Sequence, residues 1–137
     1  MMNAKRRVLS LIVSLALMGG AHSVLAAADA ATTQAIDAAK AAIEQASAVN
    51  GLWRDTEDTL KSAEEAVAAG DNAKAQKLAA QAQKEAEMGA NQAYLEQAKD
   101  KVAKAKAGKG KASAIAGAEA AINAHEGKKA YDLISAN

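Results

Sequence analysis

Between residues 75 and 93, Ala75, Ala79, Ala82, Ala86, Gly89 and Ala93 recur at intervals of 4, 3, 4, 3 and 4. That spacing holds all six on one face of an α-helix, and none carries more than a methyl group. A face this small buries little apolar area alone, so it needs a second helix at close range. The stretch before it supplies one: Val49, Trp53, Thr56, Leu60, Ala63 and Val67 keep the same rhythm with larger side chains. Folding the chain back at Gly70 sets Ala63 against Ala79, Leu60 against Ala82, Thr56 against Ala86 and Trp53 against Gly89. The spacing therefore predicts an antiparallel hairpin of long helices, its largest side chain meeting a residue with none.

The rest of the sequence agrees with an all-α fold. Alanine takes 40 of the 137 positions, and Pro, Phe and Cys are absent. Branched residues follow helical stripes rather than the alternation of strands. The length allows one small domain with a thin core. Without cysteine there is no thiol nucleophile, disulfide, haem thioether, Fe–S ligand or lipidated anchor. Helix formers run from about Asp29 to Ala69, interrupted only by Asn50-Gly51, and Gly70-Asp71 then punctuates the chain. Gly70 suits a left-handed C′ position, and Asp71 can cap the helix that follows. A second helix is predicted from about Asn72 to Ala105, ending in a lysine-rich stretch at Gly108 and Gly110. A weaker pattern spans Ser113 to Ala124, followed by Gly127 and a short tail with Tyr131, Leu133 and Ile134. The expected division is a hairpin over 27–106 and a Lys/Ala/Gly-rich linker with a short third helix or flexible tail over 107–137.

Residues 1–26 read as a secretory signal peptide. Lys5, Arg6 and Arg7 precede an apolar run from Val8 to Met18, and Val24-Leu25-Ala26 fits the small-residue cleavage rule. The run is too short for a permanent membrane helix, and no later segment replaces it. Cleavage removes three of 17 basic residues and none of 16 acidic ones, turning a formal charge of +1 into −2. The exported chain thus carries no overall basic charge to draw it to nucleic acid, and the bacterial periplasm is the expected compartment.

Catalytic chemistry finds no constellation. His125 stands beside Glu126 and Gly127 without metal-ligand spacing, and reads as an exposed or helix-terminal His. Asp55, Glu57 and Asp58 lack the pocket that acid/base work needs. Lys99, Lys101, Lys104, Lys106, Lys109 and Lys111 with Asp100 give a local charge of +5, read as a solvated face without the interleaved aromatics that stack on bases. Lys40–Glu44, Arg54–Asp58, Glu57–Lys61, Lys61–Glu65 and Asp100–Lys104 are spaced for weak i,i+4 ion pairs. Leu52, Leu78, Met88, Tyr94 and Leu95 fall beside the idealised seam. A further partner is implied, whether the third helix, a second copy in a homo-oligomer or another protein.

The decapeptide Gly51–Leu60 contains no alanine, and it places the only Trp beside the only Arg of the exported chain. A Trp–Arg pair is a common kind of interface anchor, because indole buries a large area and guanidinium presents a rigid donor fork. The other reading has Trp53 locking the hairpin against Gly89 while Arg54 pairs with Asp58. The two are compatible if Trp53 faces inward and Arg54, Asp55 and Asp58 face out.

Trp53-Arg54-Asp55-Thr56, Ala69-Gly70-Asp71, Lys74-Ala75, Lys77-Leu78-Ala79, Ala82 and the Gly89 to Gln92 region resemble the SoxXA-binding protein family, also called SoxK. The likeness covers the signal peptide and roughly residues 35–98. It implies a small periplasmic helical accessory without catalytic activity or cofactor of its own, binding SoxXA, the c-type cytochrome complex that couples thiosulfate to a carrier protein. Carried over residue by residue, it points to Trp53, Arg54, Asp55, Thr56, Gly70, Asp71, Lys74, Leu78 and Gly89, with Asp58 added from the charged side of the decapeptide. Residues 105–137 lie outside the pattern. The alternative is a generic envelope-associated helical protein forming a long oligomer with Trp53 on its seam.

Overall fold

The computed structural model describes residues 28–136, so the expected signal peptide lies outside the described residues. The chain is all-α, with five helices and no strand among the described residues: α1 (Ala30–Ala48), α2 (Thr56–Ala68), α3 (Asn72–Ala107), α4 (Ala112–Asn123) and α5 (Gly127–Ser135). None of the five is long and apolar enough to cross a membrane.

α3 is the axis. Its 36 residues span about 54 Å at 1.5 Å per residue. Its first half carries α1 and α2, and its second half carries α4 and α5. The small-residue face is buried as the spacing predicts: Ala75, Ala79, Ala82, Ala86 and Gly89 all lie inside. Ala63 packs with Ala79 and Ala82 while Leu60 covers the cluster, so the hairpin register at Gly70 is the expected one.

The first arm is not one helix. α1 runs parallel to α3, from Thr32, whose hydroxyl accepts from Gln76 at 2.9 Å, to Val49, whose carbonyl accepts from Gln97 at 3.2 Å. The chain then reverses at Asn50–Gly51, and α2 returns antiparallel to both, tied to α1 by Lys40–Glu64 at 2.7 Å. The hairpin is thus one side of a three-helix unit. Ile36, Ala39 and Ala42 of α1 complete the core that the sequence left uncovered. None of the five expected i,i+4 ion pairs closes among the described residues. Lys40 crosses to Glu64 instead, where it joins two helices rather than two turns of one.

The C-terminal third builds a second unit on the same axis. α4 runs back along α3, with Ala121 beside Ala98 and Ala118 beside Val102, and Lys106 pairs with Glu119 at 2.5 Å. α5 turns forward again, placing Ala130 beside Ala98 and Ile134 beside Val102. The segment read as a tail after Gly127 is therefore a packed helix. It covers Leu95, Ala98 and Val102, which are buried in α3.

All four turns between helices share one device. Asn50, Gly70, Lys109 and His125 have φ of 57°, 78°, 63° and 58°. In each case the next amide donates back to an alanine carbonyl: Gly51 to Ala46, Asp71 to Ala66, Gly110 to Ala105 and Glu126 to Ala121, at 2.7–2.9 Å. This is the Schellman closure, and it satisfies carbonyls that the helix end leaves open. The sequence reading gave the third turn to Gly108 and Gly110, whereas Lys109 between them takes the left-handed conformation.

Candidate functional site

The two units meet at mid-length of α3. There α1 ends and α5 begins, and both approach the α3 backbone through glycine. A Cβ added to Gly51 would stand 2.5 Å from the Gly89 carbonyl oxygen and 2.9 Å from Ala90 Cα. A Cβ on Gly89 would in turn collide with the Gly51 carbonyl. At Gly127 the added carbon would strike Asn91, whose side-chain oxygen accepts from the Gly127 amide at 2.7 Å.

Gly51 and Gly89 line a cleft of about 760 Å³. Its walls include Trp53, Tyr94 and Tyr131, which are all the aromatic side chains the sequence contains. Tyr94 and Tyr131 pack with ring centroids 5.4 Å apart at 55°, and the Lys101 ammonium lies over the Tyr131 ring at 5.0 Å. Trp53 forms the rim. Its Cδ1 is 3.2 Å from where a Gly89 Cβ would be, so one edge of the indole rests on the glycine, yet the residue stays 43% exposed. The expected Trp53–Gly89 contact is present, but what presses hardest on Gly89 is the backbone of Gly51.

Part of the polar lining is engaged from within. Gln97 donates to the Val49 carbonyl, and the Glu96 carboxylate accepts from Lys99 at 2.8 Å and Gln92 at 3.0 Å. Among the described residues no hydrogen bond engages the Trp53 indole N–H or the Tyr94 and Tyr131 hydroxyls. The cleft thus presents apolar ring surface together with uncommitted donors and acceptors. Glu96 is the one carboxylate in its lining.

The sequence-derived candidates divide into two sets at opposite ends of α2, about 20 Å apart at 1.5 Å per residue. Trp53, Arg54, Asp55, Thr56 and Asp58 stand at its start, where Trp53 meets Gly89. Arg54, Asp55 and Asp58 are exposed, and Arg54 does not pair with Asp58: the turn before Thr56 is not helical, so the i,i+4 geometry is missing. Thr56 is fully buried with its hydroxyl unpartnered. At the other end, Gly70 closes the turn, the Asp71 carboxylate accepts from the Lys74 amide at 3.0 Å, and half-buried Leu78 packs on the core. Those residues are accounted for by folding alone.

Sequence reasoning flagged Tyr94 only as lying off the seam and put Tyr131 in a tail. The signal available was their scarcity, three aromatics in 137 residues. His125 serves the left-handed turn, a conformation in which His is enriched. Among the described residues no three Asp, Glu or His side chains stand close enough to share a metal ion. The lysine run is partly spent on internal contacts, through Lys99 to Glu96, Lys106 to Glu119 and Lys101 over Tyr131. Comparison with protein-family models, curated proteins and solved structures finds no match to this chain.

Proposed function

We propose that this protein is a non-catalytic accessory, exported to the periplasm, that docks on another protein through Trp53 and the cleft beside it. The carrying observation is the exposure of Trp53 at the rim of a cleft that gathers every aromatic residue of an alanine-built chain. Exposed tryptophan is costly to leave in water, and Trp, Tyr and Arg dominate the energetics of protein interfaces. Arg54 next to it is exposed and free of an internal ion pair, so it can meet a partner's carboxylate without first giving one up. The resemblance of residues 53–56, 69–71 and 89–92 to SoxXA-binding proteins names the partner as SoxXA, and the reading supported is an accessory to thiosulfate oxidation.

Direct titration of the purified exported protein against SoxXA tests this reading, with W53A and R54A alongside. Saturable binding that W53A weakens strongly and R54A weakens measurably is the expected outcome. Absence of binding by the intact protein at tens of micromolar overturns it.

A further inference from the structure

The two halves of α3 are covered on different faces. Ala79, Ala82 and Ala86 are buried under α1 and α2, while Ala98 and Val102 are buried under α4 and α5. At 3.6 residues per turn the second pair lies roughly opposite the first three. The small-residue stripe itself does not stop at Ala93. Glu96, Asp100, Ala103 and Ala107 prolong it at intervals of 3, 4, 3 and 4, and all four are exposed. α1 ends level with Gln97, so beyond that point this face of α3 carries no helix among the described residues. The molecule is therefore stepped.

Charge divides along the same step. The α1–α2 arm, residues 28–70, holds eight acidic and three basic side chains, a formal charge of −5. Residues 96–111 hold six basic and two acidic ones, a charge of +4, and the intervening residues 88–95 hold none. Internal ion pairs leave both excesses standing. In the arm only Lys40–Glu64 closes among the described residues. In the basic segment Glu96 is answered by Lys99, while Lys104, Lys109 and Lys111 stay exposed and form no ion pair among the described residues.

A surface that fits the bare stretch must be acidic, narrow and of similar length, and the outer face of α1 meets all three demands. Asp37, Ala41, Glu44 and Ala48 are exposed and follow at intervals of 4, 3 and 4, on the side of the helix away from its buried residues. Alanines on both stripes permit close helix approach, and the charges beside them are opposite. A two-fold axis where α1 ends sets each arm on the other copy's bare stretch, so one contact is made twice. We propose that a second copy of this chain occupies the step, forming an antiparallel dimer in which each α1–α2 arm docks on the partner's α3 between about residues 97 and 111. The proposal goes beyond the docking reading and stands whether or not SoxXA is the partner.

Sedimentation equilibrium of the purified exported protein, at about 20 mM and about 0.5 M salt, tests it. The expected result is a dimer at low salt whose affinity falls at least about tenfold at high salt, because the contacts are between exposed charges. Two reversed variants sharpen the test. K104E/K109E/K111E makes the step acidic, and D37K/E44K/D58K makes the arm basic; circular dichroism checks that each keeps its helices. Each alone should be monomeric at low salt. Mixed in equal amounts they should form a heterodimer, since each arm then meets a step of opposite sign. A wild type monomeric at low salt up to about 0.1 mM protein overturns the proposal, as does a dimer that neither salt nor either reversal weakens. Folded variants that fail to pair on mixing overturn it too. Retention of a monomeric wild type on phosphatidylglycerol vesicles, lost in K104E/K109E/K111E, would replace it with a membrane contact.

Discussion

Gly51 and Gly89 touch backbone to backbone, and that contact sets how near α1 can come to α3. An alanine at either position has only backbone to push against. Gly89→Ala and Gly51→Ala are each expected to lower stability by about 1–3 kcal/mol, the usual cost of overpacking, with a change in Trp53 emission; urea denaturation followed by tryptophan fluorescence reads both. His125 gives an effect of opposite sign. Its φ of 58° carries steric cost for any residue with a Cβ, so His125→Gly should raise stability by up to about 1 kcal/mol, read as a higher urea midpoint. A loss of stability there would mean that the imidazole makes a contact the turn needs. At this scale the sequence was legible where the residue type has one dominant use. Gly70 and Asp71 stand in the turn and cap that their types predict, whereas Lys109 at a left-handed position was hidden because two adjacent glycines offered an easier choice.

Among the elements, α3 was read nearly to its ends and the first arm was not. The reason is instructive in physical terms. Val49 and Trp53 continue the 4-3-4 rhythm of Thr56, Leu60, Ala63 and Val67, yet they lie in the reversal between α1 and α2. A periodic pattern can run across a turn unbroken, since periodicity records spacing and not direction. α5 was missed because nine residues cannot form a stable isolated helix; Gly127, Ala130 and Ile134 gain theirs by packing on α3. The caps carry predictions of their own. Asp71→Ala removes the acceptor for the Lys74 amide and should cost about 1 kcal/mol in the same denaturation measurement. Asp29 caps α1, and hydrogen bonds from the Thr32 side chain and then its backbone amide hold the carboxyl below its ordinary pKa. A depressed folded-state pKa means that the contribution is present above the unfolded pKa and is lost as pH falls through the folded one. Asp29→Asn should therefore flatten the acid limb of the stability profile below the ordinary carboxylate range, while wild type falls there.

For the whole molecule, two three-helix units share one continuous helix, and the cleft lies where they meet. The all-α class and the α2–α3 hairpin could be read from spacing. The cleft could not, because Trp53, Tyr94 and Tyr131 come from three segments that only the completed packing brings together. This architecture makes the second half of α3 dependent on α4 and α5. Ending the chain after Ala107 exposes Leu95, Ala98 and Val102, so amide exchange should speed up over residues 94–107 and change little over 72–86. The same truncation removes Tyr131 and one wall of the cleft. The central claim is that this junction is where a partner docks, and Trp53→Ala measured by calorimetric titration against SoxXA tests it most directly. The account predicts intact helical content and a loss of at least about 2 kcal/mol, roughly thirtyfold in affinity, as for a buried interface tryptophan. Wild-type affinity in a folded W53A protein would contradict it.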